Sequence, residues 1–226
     1  MSPIVQLVLA CTVFLATHFI SSTPLRAWLI ASTGGKIYLG LYSLAAIAAL
    51  GWMISAYYHA PYAVLWYVPA LRYVPLVMMP LALILITCGV LTRNPTAVGQ
   101  ERLLDTGNAG RGILRITRHP VMWGVAMWAA AHVMARGDAA SALFFGTFVV
   151  LALCGTVMSD RRKARALGER WQRFAASTSH LPFAAIVGGR SAFTPTEIGW
   201  AKPALGLALY VALLFLHPAL FGARPY

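Results

Sequence analysis

Long apolar stretches separated by short polar segments run along almost the whole chain. Six of these stretches contain no Asp, Glu, Lys or Arg: residues 3–20, 37–58, 73–91, 120–135, 139–159 and 203–221. About 20 apolar residues in a helix cross the hydrocarbon core of a bilayer, so most of the stretches are long enough to span a membrane. The pattern predicts an all-α, polytopic transmembrane helical bundle of about six spans. The lipid bilayer is therefore the first expected partner.

The composition agrees with a membrane protein. Hydrophobic residues make up 59% of the 226 residues and charged residues 11%, and the mean hydropathy is +0.70. This is too little polar surface for a soluble protein of this size. No repeat or change of composition divides the chain, so residues 1–226 are expected to form a single transmembrane domain. Each of the three cysteines lies in a different apolar stretch, which is typical of buried thiols rather than of a disulfide framework.

The basic residues are distributed unequally over the two sides of the predicted bundle. With six spans, Arg72, Arg136 and Arg224 fall on one side, and the other fifteen of the 18 Lys and Arg residues fall on the opposite side. The positive-inside rule then places the more basic side in the cytoplasm and both termini in the periplasm of a bacterial inner membrane. The net charge of +12 would also suit nucleic acid. Attraction to anionic lipid headgroups accounts for it better, and we expect no nucleic-acid partner.

Two short helices are expected on the cytoplasmic membrane surface. Residues 26–33 follow Thr23 and Pro24, which suit an N-cap and a first helical turn. Residues 160–174 are rich in basic residues and carry apolar side chains at helical spacing, which favours an interfacial helix that extends from the fifth span. Residues 93–117 contain several Gly residues and a Pro, which indicate a loop.

Three histidines lie in predicted spans, namely His18, His132 and His217. Ionisable side chains within a span usually face a cavity or a partner. Imidazoles from separate helices of a bundle are a common way to hold haem iron. Zinc is less favoured, since no carboxylate or thiolate lies close in the sequence to complete four ligands. His59 and His180 fall in predicted loops, where we expect them to be solvated.

The motif Arg118-His119-Pro120 marks the start of the fourth span. Proline favours the first helical position, so His119 is expected at the N-cap. Arg118 beside a helix N-terminus would suit an anion at the cytoplasmic rim, and contact of Arg118 with lipid phosphate is an equally good interpretation. Trp128 and Gly124 lie on the same helix face as His132, where they would form an aromatic wall and a notch for close approach to the backbone.

Several short motifs occur together along the chain, in addition to His18 and Arg26. They are "GGKIYLGLYSL" from Gly34, "RHPVMWGVAMWAAAHV" from Arg118, "DRR" from Asp160, "TSHLPF" from Thr178 and "LHPALFG" from Leu216. In this combination they resemble the NnrU family of bacterial inner-membrane proteins, and the resemblance covers most of the chain. It implies a link to denitrification and nitrogen-oxide metabolism.

The same motifs resemble the plant cis-zeta-carotene isomerases, which are haem b membrane enzymes. This resemblance implies that His18 and His132 bind the iron and that the ligand is a hydrophobic small molecule. The isomerases have a cysteine three residues before the second iron ligand, where this chain has Ala129, so iron-ligand exchange with a thiol is not expected. The predicted span edges place His18 and His132 roughly 15 Å apart in depth. The alternative ligands are therefore His119, paired with His18, and His217, paired with His132.

The resulting hypothesis is a haem b protein that acts as an isomerase or oxidoreductase near denitrification. In this hypothesis Trp128 packs against the porphyrin, and Arg118 with Arg26 receives an anionic group at the cytoplasmic rim. No catalytic residue follows from the sequence. A further hypothesis is a non-catalytic membrane scaffold in which the histidines are structural.

An enzyme of another class is the second hypothesis. The form Arg-His-Pro-x-x-x-Gly, completed here by Gly124, resembles the isoprenylcysteine and phospholipid methyltransferases. This resemblance implies that S-adenosylmethionine binds near Arg118 and His119. Those enzymes place acidic residues just after the preceding span, where this chain has Met158, Ser159 and Asp160. The departure argues against methyl transfer.

Overall fold

The structure is a computed structural model, and it describes residues 1–107 and 109–225. In chain order, its helices are α1 (Pro3–Ile20), α2 (Pro24–Thr33), α3 (Gly35–His59), α4 (Val74–Val90), α5 (Ile113–Ile116), α6 (Pro120–Arg136), α7 (Ala139–Leu167), α8 (Glu169–Ser177), α9 (Ala184–Val187), α10 (Pro195–Ile198) and α11 (Ala201–Phe221). Two 3-10 helices cover Pro69–Tyr73 and Glu101–Asp105.

Five segments are long and apolar enough to cross a membrane: α1, α3, α7, α11, and α4 together with the 3-10 helix before it. The 17-residue α6 packs between α4 and α7 and completes the bundle. The prediction of an all-α bundle of about six spans is confirmed. Within the residues that the structure describes, β-type pairing is limited to one isolated bridge between Val64 and Asp138.

The six long helices pack in the order α3, α1, α7, α6, α4, α11. Helices α1 and α7 run in the same direction, because Cys11 Sγ lies 3.7 Å from the Leu143 carbonyl and Phe14 contacts Phe148. Helix α6 runs in the opposite direction to α7. The two are joined by the tight turn at Gly137, and the Asp138 carboxylate caps α7 by accepting a hydrogen bond from its backbone.

Helix α4 is held on both sides by glycines. A side chain at Gly124 of α6 would lie 2.6 Å from the Ala82 carbonyl oxygen, and one at Gly206 of α11 would lie 2.7 Å from Thr87 Oγ1. Backbones can approach this closely only where no Cβ intervenes. The notch that the sequence predicts at Gly124 is therefore filled by α4.

Helix α7 continues well beyond the predicted end of its span. It runs through Asp160 to Leu167 and ends at Gly168, whose φ of 52° lies in the left-handed region. The separate helix α8 then buries Trp171 and Phe174. The prediction that residues 160–174 continue the fifth span as a helix is confirmed as far as Leu167, where Gly168 divides the segment into the end of α7 and the separate helix α8.

The fifteen basic residues of the predicted cytoplasmic side gather at one end of the bundle, which we call the basic end. It comprises α2, the start of α3 with Lys36, residues 92–107 and 109–119, and residues 160–202. The predicted surface helix near residues 26–33 is confirmed as α2, although the Thr23 hydroxyl donates to the Ile20 carbonyl instead of capping the helix. Hydrogen bonds from the Arg115 side chain and the Gly112 backbone tie Glu197 to this end and lower its pKa to about 2.

Candidate functional site

The histidines of the bundle fall into two groups at different depths. A polar cluster lies at the basic end and consists of Arg118, His119, Asp160 and His180. An aromatic cluster lies deeper in the bundle and consists of Phe14, His18, Trp128, His132, Phe145 and Phe148. His59 is exposed at the end of α3, and His217 contacts Phe221 near the end of α11.

In the polar cluster, the carboxylate of Asp160 joins the start of α6 to the C-terminal part of α7. His119 occupies the N-cap position of α6, as predicted, and is 5% exposed. Its Nε2 donates to Asp160 Oδ1 at 2.7 Å, while Arg118 Nε donates to Asp160 Oδ2 at 2.8 Å. Both carboxylate oxygens are therefore bonded to charged or polar donors. Removing any one of these three side chains would leave a buried polar or charged group without its partner and would destabilise the fold.

His180 is the fourth member, and it is not solvated as the sequence suggested. Its backbone carbonyl accepts hydrogen bonds from Trp123 Nε1 and Thr117 Oγ1, each at 2.8 Å. Its Nε2 lies 2.7 Å from Thr156 Oγ1, whose own proton goes to the Leu153 carbonyl. His180 Nε2 is therefore the donor of this hydrogen bond. Burial and the nearby His119 together lower the pKa of His180.

The aromatic cluster links α1, α6 and α7 by a continuous series of ring contacts. From α1 inward, ring centroids are 4.2 Å apart for His18 and Phe14, and 5.4 Å apart for Phe14 and Phe148. From α6, they are 5.6 Å apart for His132 and Trp128, and 5.2 Å apart for Trp128 and Phe148. The ring of Phe148 on α7 is therefore shared by the two histidine-bearing helices.

The ring nitrogens distinguish the two clusters chemically. In His18 and His132, Nδ1 lies 2.8 Å from the backbone carbonyl four residues earlier, and a carbonyl can only accept. The proton of the neutral imidazole is therefore on Nδ1, and the lone pair is on Nε2. Neither Nε2 has a hydrogen-bond partner among residues 1–107 and 109–225. This is the arrangement found in metal-binding histidines, where a second bond fixes the tautomer.

The structure brings His18 and His132 closer in depth than the sequence suggested. His18 lies one helical turn beyond Phe14, which contacts Phe148, so it is level with about Leu151 of α7. His132 stacks on Phe145 at 4.9 Å. Six residues of helix separate these levels, which corresponds to about 9 Å along α7 instead of the roughly 15 Å expected from the span edges.

The structure does not bring Arg26 and Arg118 together at one rim site. Arg118 is bonded to Asp160, whereas the guanidinium of Arg26 lies 5.9 Å from the centre of the Tyr38 ring, near Arg162. Residues 160 and 162 point to opposite sides of α7, since successive residues in a helix are 100° apart. The two arginines therefore belong to different environments.

Sequence reasoning missed Asp160 as the partner of the Arg-His motif. The sequence does single out Asp160, because it is one of only six acidic residues and stands directly before three basic ones. A lone carboxylate in such a position is expected to have a specific role. His180 carried no comparable signal, since its partners are far from it in the sequence.

In the part of the chain that the structure describes, no group of three or more His, Cys, Asp or Glu side chains is placed to hold a bare metal ion. A haem needs fewer protein ligands, since the porphyrin supplies four nitrogens and the protein supplies the axial ones. Paired imidazoles with free Nε2 atoms are a suitable donor set for it.

Comparison with known proteins identifies relatives. A family model described as NnrU protein matches residues 6–225. The chain is 36% identical, over 115 residues or 50% of its length, to the chloroplastic 15-cis-zeta-carotene isomerase of Arabidopsis thaliana. It is 38% identical over 79 residues, or 35% of the chain, to the protein of the same name from Zea mays. The aligned segments span 31% and 22% of these two relatives, respectively. No solved structure matches the chain significantly.

Proposed function

The chain belongs to the NnrU family, and on that premise we propose that it is a haem b membrane protein of isomerase type in which His18 and His132 would hold the haem iron. The proposal includes the bacterial inner membrane that the family resemblance implies, and the orientation that the distribution of basic residues favours, with the basic end in the cytoplasm and both termini in the periplasm. It also includes a link to nitrogen-oxide metabolism, in which the haem would serve an isomerase or oxidoreductase reaction.

The state of the ring nitrogens is the main support for His18 and His132 as iron ligands. His18 and His132 both have an Nε2 lone pair without a partner among the described residues, and both belong to the same aromatic cluster. The alternative ligand His119 uses its Nε2 for Asp160, so binding iron would break a buried ion pair. His217 also has its Nδ1 on a carbonyl, but its ring contacts Phe221 instead of the aromatic cluster. The donor chemistry therefore disfavours His119, and the ring contacts favour His18 over His217 as the partner of His132.

The surroundings of the two imidazoles suit a porphyrin. Phe14, Trp128 and Phe148 provide flat apolar surfaces of the kind that macrocycles pack against. These rings contact one another in the structure, so haem binding requires them to separate. The small residues Ala129 and Ala152 in the same region are fully or almost fully buried and leave the helix backbones close.

When bound, haem iron supplies redox and Lewis-acid chemistry that side chains lack. The chain itself contributes imidazole orientation, since the bonds from Nδ1 to the Phe14 and Trp128 carbonyls fix both rings. It also contributes apolar surroundings, because aromatic side chains pack against both imidazoles. Ala129 offers no thiol to exchange with an imidazole on the iron.

The substrate class that fits this environment is an apolar, unsaturated small molecule that reaches the site from the bilayer. Two observations support this class: the relatives are named as isomerases of zeta-carotene, and the aromatic cluster lies within the spans. Because the aligned segments span less than a third of those relatives, the substrate itself is open to test with several polyenes.

The test is an absorption spectrum of the full chain purified in detergent from haem-replete cells. We expect a Soret band that is shifted or lost in His18→Ala and in His132→Ala. His59→Ala is the matched control, since His59 has the same Nδ1 bond to a carbonyl four residues earlier but is exposed at the end of α3. A preparation without any Soret band would overturn the proposal. A band that survives both variants but is lost in His119→Ala would place the haem in the polar cluster.

The S-adenosylmethionine alternative has less support from the site. Arg118 and His119, which would meet the cofactor, are both bonded to Asp160 and are largely buried. Isothermal titration calorimetry at millimolar cofactor tests this class directly. Binding that is lost in Arg118→Ala would favour it, and heat indistinguishable from buffer would end it.

A further inference from the structure

A cavity of about 400 Å³ opens at the basic end, between α1, α2, α3 and α7. Its polar lining is formed by Ser21, Arg26, Tyr38, Tyr42, Glu101, Arg162 and Lys163. Apolar side chains, among them Leu39, Val98 and Leu167, line the rest. The cavity therefore combines a charged part with an apolar part at the level where a helix leaves the membrane.

The charges in this cavity do not balance. Lys163 is paired with Glu101 at 2.8 Å and also donates to the Pro95 carbonyl at 2.9 Å, so these two side chains neutralise each other. Arg26 and Arg162 take part in no ion pair with any residue in 1–107 or 109–225. Two guanidinium groups facing one partly enclosed space repel each other unless an anion lies between them.

The two guanidinium groups are also positioned by the surrounding chain. Arg162 Nη1 donates to the Ser21 carbonyl at 2.8 Å, which fixes the group at the end of α1 and leaves its other N–H groups available. Arg26 lies over the Tyr38 ring at 5.9 Å. Both side chains are half-buried rather than extended into solvent.

A buried hydroxyl in the same lining has no partner. Tyr38 is 9% exposed, and its Oη makes no hydrogen bond to the described part of the chain. Buried polar groups are nearly always satisfied, so an orphaned hydroxyl in a cavity wall indicates a missing acceptor. The ring of Tyr38 packs against Tyr42 at 6.0 Å, which holds the hydroxyl in place.

We propose that this cavity binds a phosphate group, with Arg26, Arg162 and the Tyr38 hydroxyl as its ligands. Three donors approaching from different elements suit a tetrahedral oxyanion with several acceptor oxygens better than a single planar carboxylate. The apolar wall and the position at the basic end suit a phosphate carried by a lipid. Free inorganic phosphate has the same chemistry and is the other source.

The experiment measures binding to the full chain in detergent, by native mass spectrometry and by the shift in thermal unfolding temperature. Phosphatidic acid and diacylglycerol with the same acyl chains form a matched pair of probes that differ only in the phosphate. Inorganic phosphate is the third probe. We expect phosphatidic acid to remain bound and to raise the unfolding temperature, and diacylglycerol to do neither.

Substitutions in the cavity lining test whether phosphatidic acid binds there. The double variant Arg26→Gln/Arg162→Gln should lower the affinity for phosphatidic acid by at least about tenfold, because it removes both charged ligands. Tyr38→Phe deletes only the orphaned hydroxyl and should also weaken binding without disturbing the fold. Arg161→Gln is the matched control, because Arg161 adjoins Arg162 in the sequence but is exposed and lies outside the cavity lining.

The outcomes separate the sources of the phosphate. A shift with phosphatidic acid alone supports a lipid headgroup, and a shift with inorganic phosphate that the double variant abolishes supports free phosphate. Equal effects of phosphatidic acid and diacylglycerol would overturn the proposal. So would wild-type affinity for phosphatidic acid in both the double variant and Tyr38→Phe.

Discussion

The two histidine clusters share helices α6 and α7 but differ in how their polar atoms are used. In the polar cluster, the Nε2 atoms of His119 and His180 and both oxygens of Asp160 have hydrogen-bond partners. In the aromatic cluster, each imidazole has one nitrogen fixed by a carbonyl, and the other has no hydrogen-bond partner in the described part of the chain. Since buried polar groups are costly unless bonded, the first pattern indicates a structural connection and the second a ligand-binding one.

The comparison of the two clusters predicts the largest loss of stability when Asp160 is replaced. Asp160→Ala leaves Arg118 and His119 buried without their common partner, and removing one member of a buried ion pair costs about 3–5 kcal/mol. Chemical or thermal unfolding of the purified protein in detergent should show this loss of stability.

A matched control for Asp160 exists at the same end of the bundle. Asp105 also pairs with an arginine, Arg170, but its side chain is 57% exposed. Exposed pairs contribute about 0–1 kcal/mol, so Asp105→Ala should leave the stability almost unchanged. Equal losses for the two variants would mean that the polar cluster has no special structural role.

A smaller effect on stability is expected when one histidine from each cluster is replaced, in protein without bound cofactor. His119→Leu removes a hydrogen bond to a charged group and should cost about 1.5–3 kcal/mol. His132→Leu replaces an imidazole whose Nε2 has no partner in the described chain, and should change the stability by less than about 1.5 kcal/mol, as volume-conserving substitutions do. The comparison fails if His132→Leu is the more destabilising of the two in unfolding experiments.

The smallest expected effect is a pH dependence that comes from His180. Burial and His119 lower its pKa in the folded state, so the unfolded chain binds a proton more readily. The stability associated with His180 is therefore complete above its ordinary pKa of about 6.5 and decreases as the pH falls through that value. Unfolding temperatures measured at several pH values on both sides of this point should show a steeper decline for the wild type than for His180→Gln. Parallel curves would contradict the assignment.

The helices of the bundle were largely predictable from the sequence, because insertion into lipid depends on local composition. The predicted stretch 3–20 coincides with α1, and the predicted edges at 139 and 221 coincide with the start of α7 and the end of α11. The continuation of α7 beyond its apolar stretch was predicted, but its end at Leu167 was not, because the helical spacing of apolar side chains continues across Gly168. Helical hydrogen bonding continues there until a glycine interrupts it.

The partners within the candidate sites were harder to predict than the helices. Asp160 meets His119 only because of the register between two antiparallel helices, which no local pattern reveals. The depth of His18 relative to His132 depends in the same way on how α1 is aligned with α7. In contrast, the N-cap position of His119 was predictable, since it follows from the proline next to it.

The contact between Cys11 and Leu143 has a consequence for the order in which the protein is made. These residues are 132 positions apart, and α1 otherwise packs mainly on α3, the next long helix in the sequence. Because α7 follows α1 and α3 in the chain, we expect the face of α1 that packs on α7 to contact lipid until α7 has been synthesised and inserted. Long-range contacts of this kind form late and slowly. Assembly of the aromatic cluster is thus one of the last events in the maturation of the chain, and a chain truncated before α7 would present Phe14 and His18 to the bilayer.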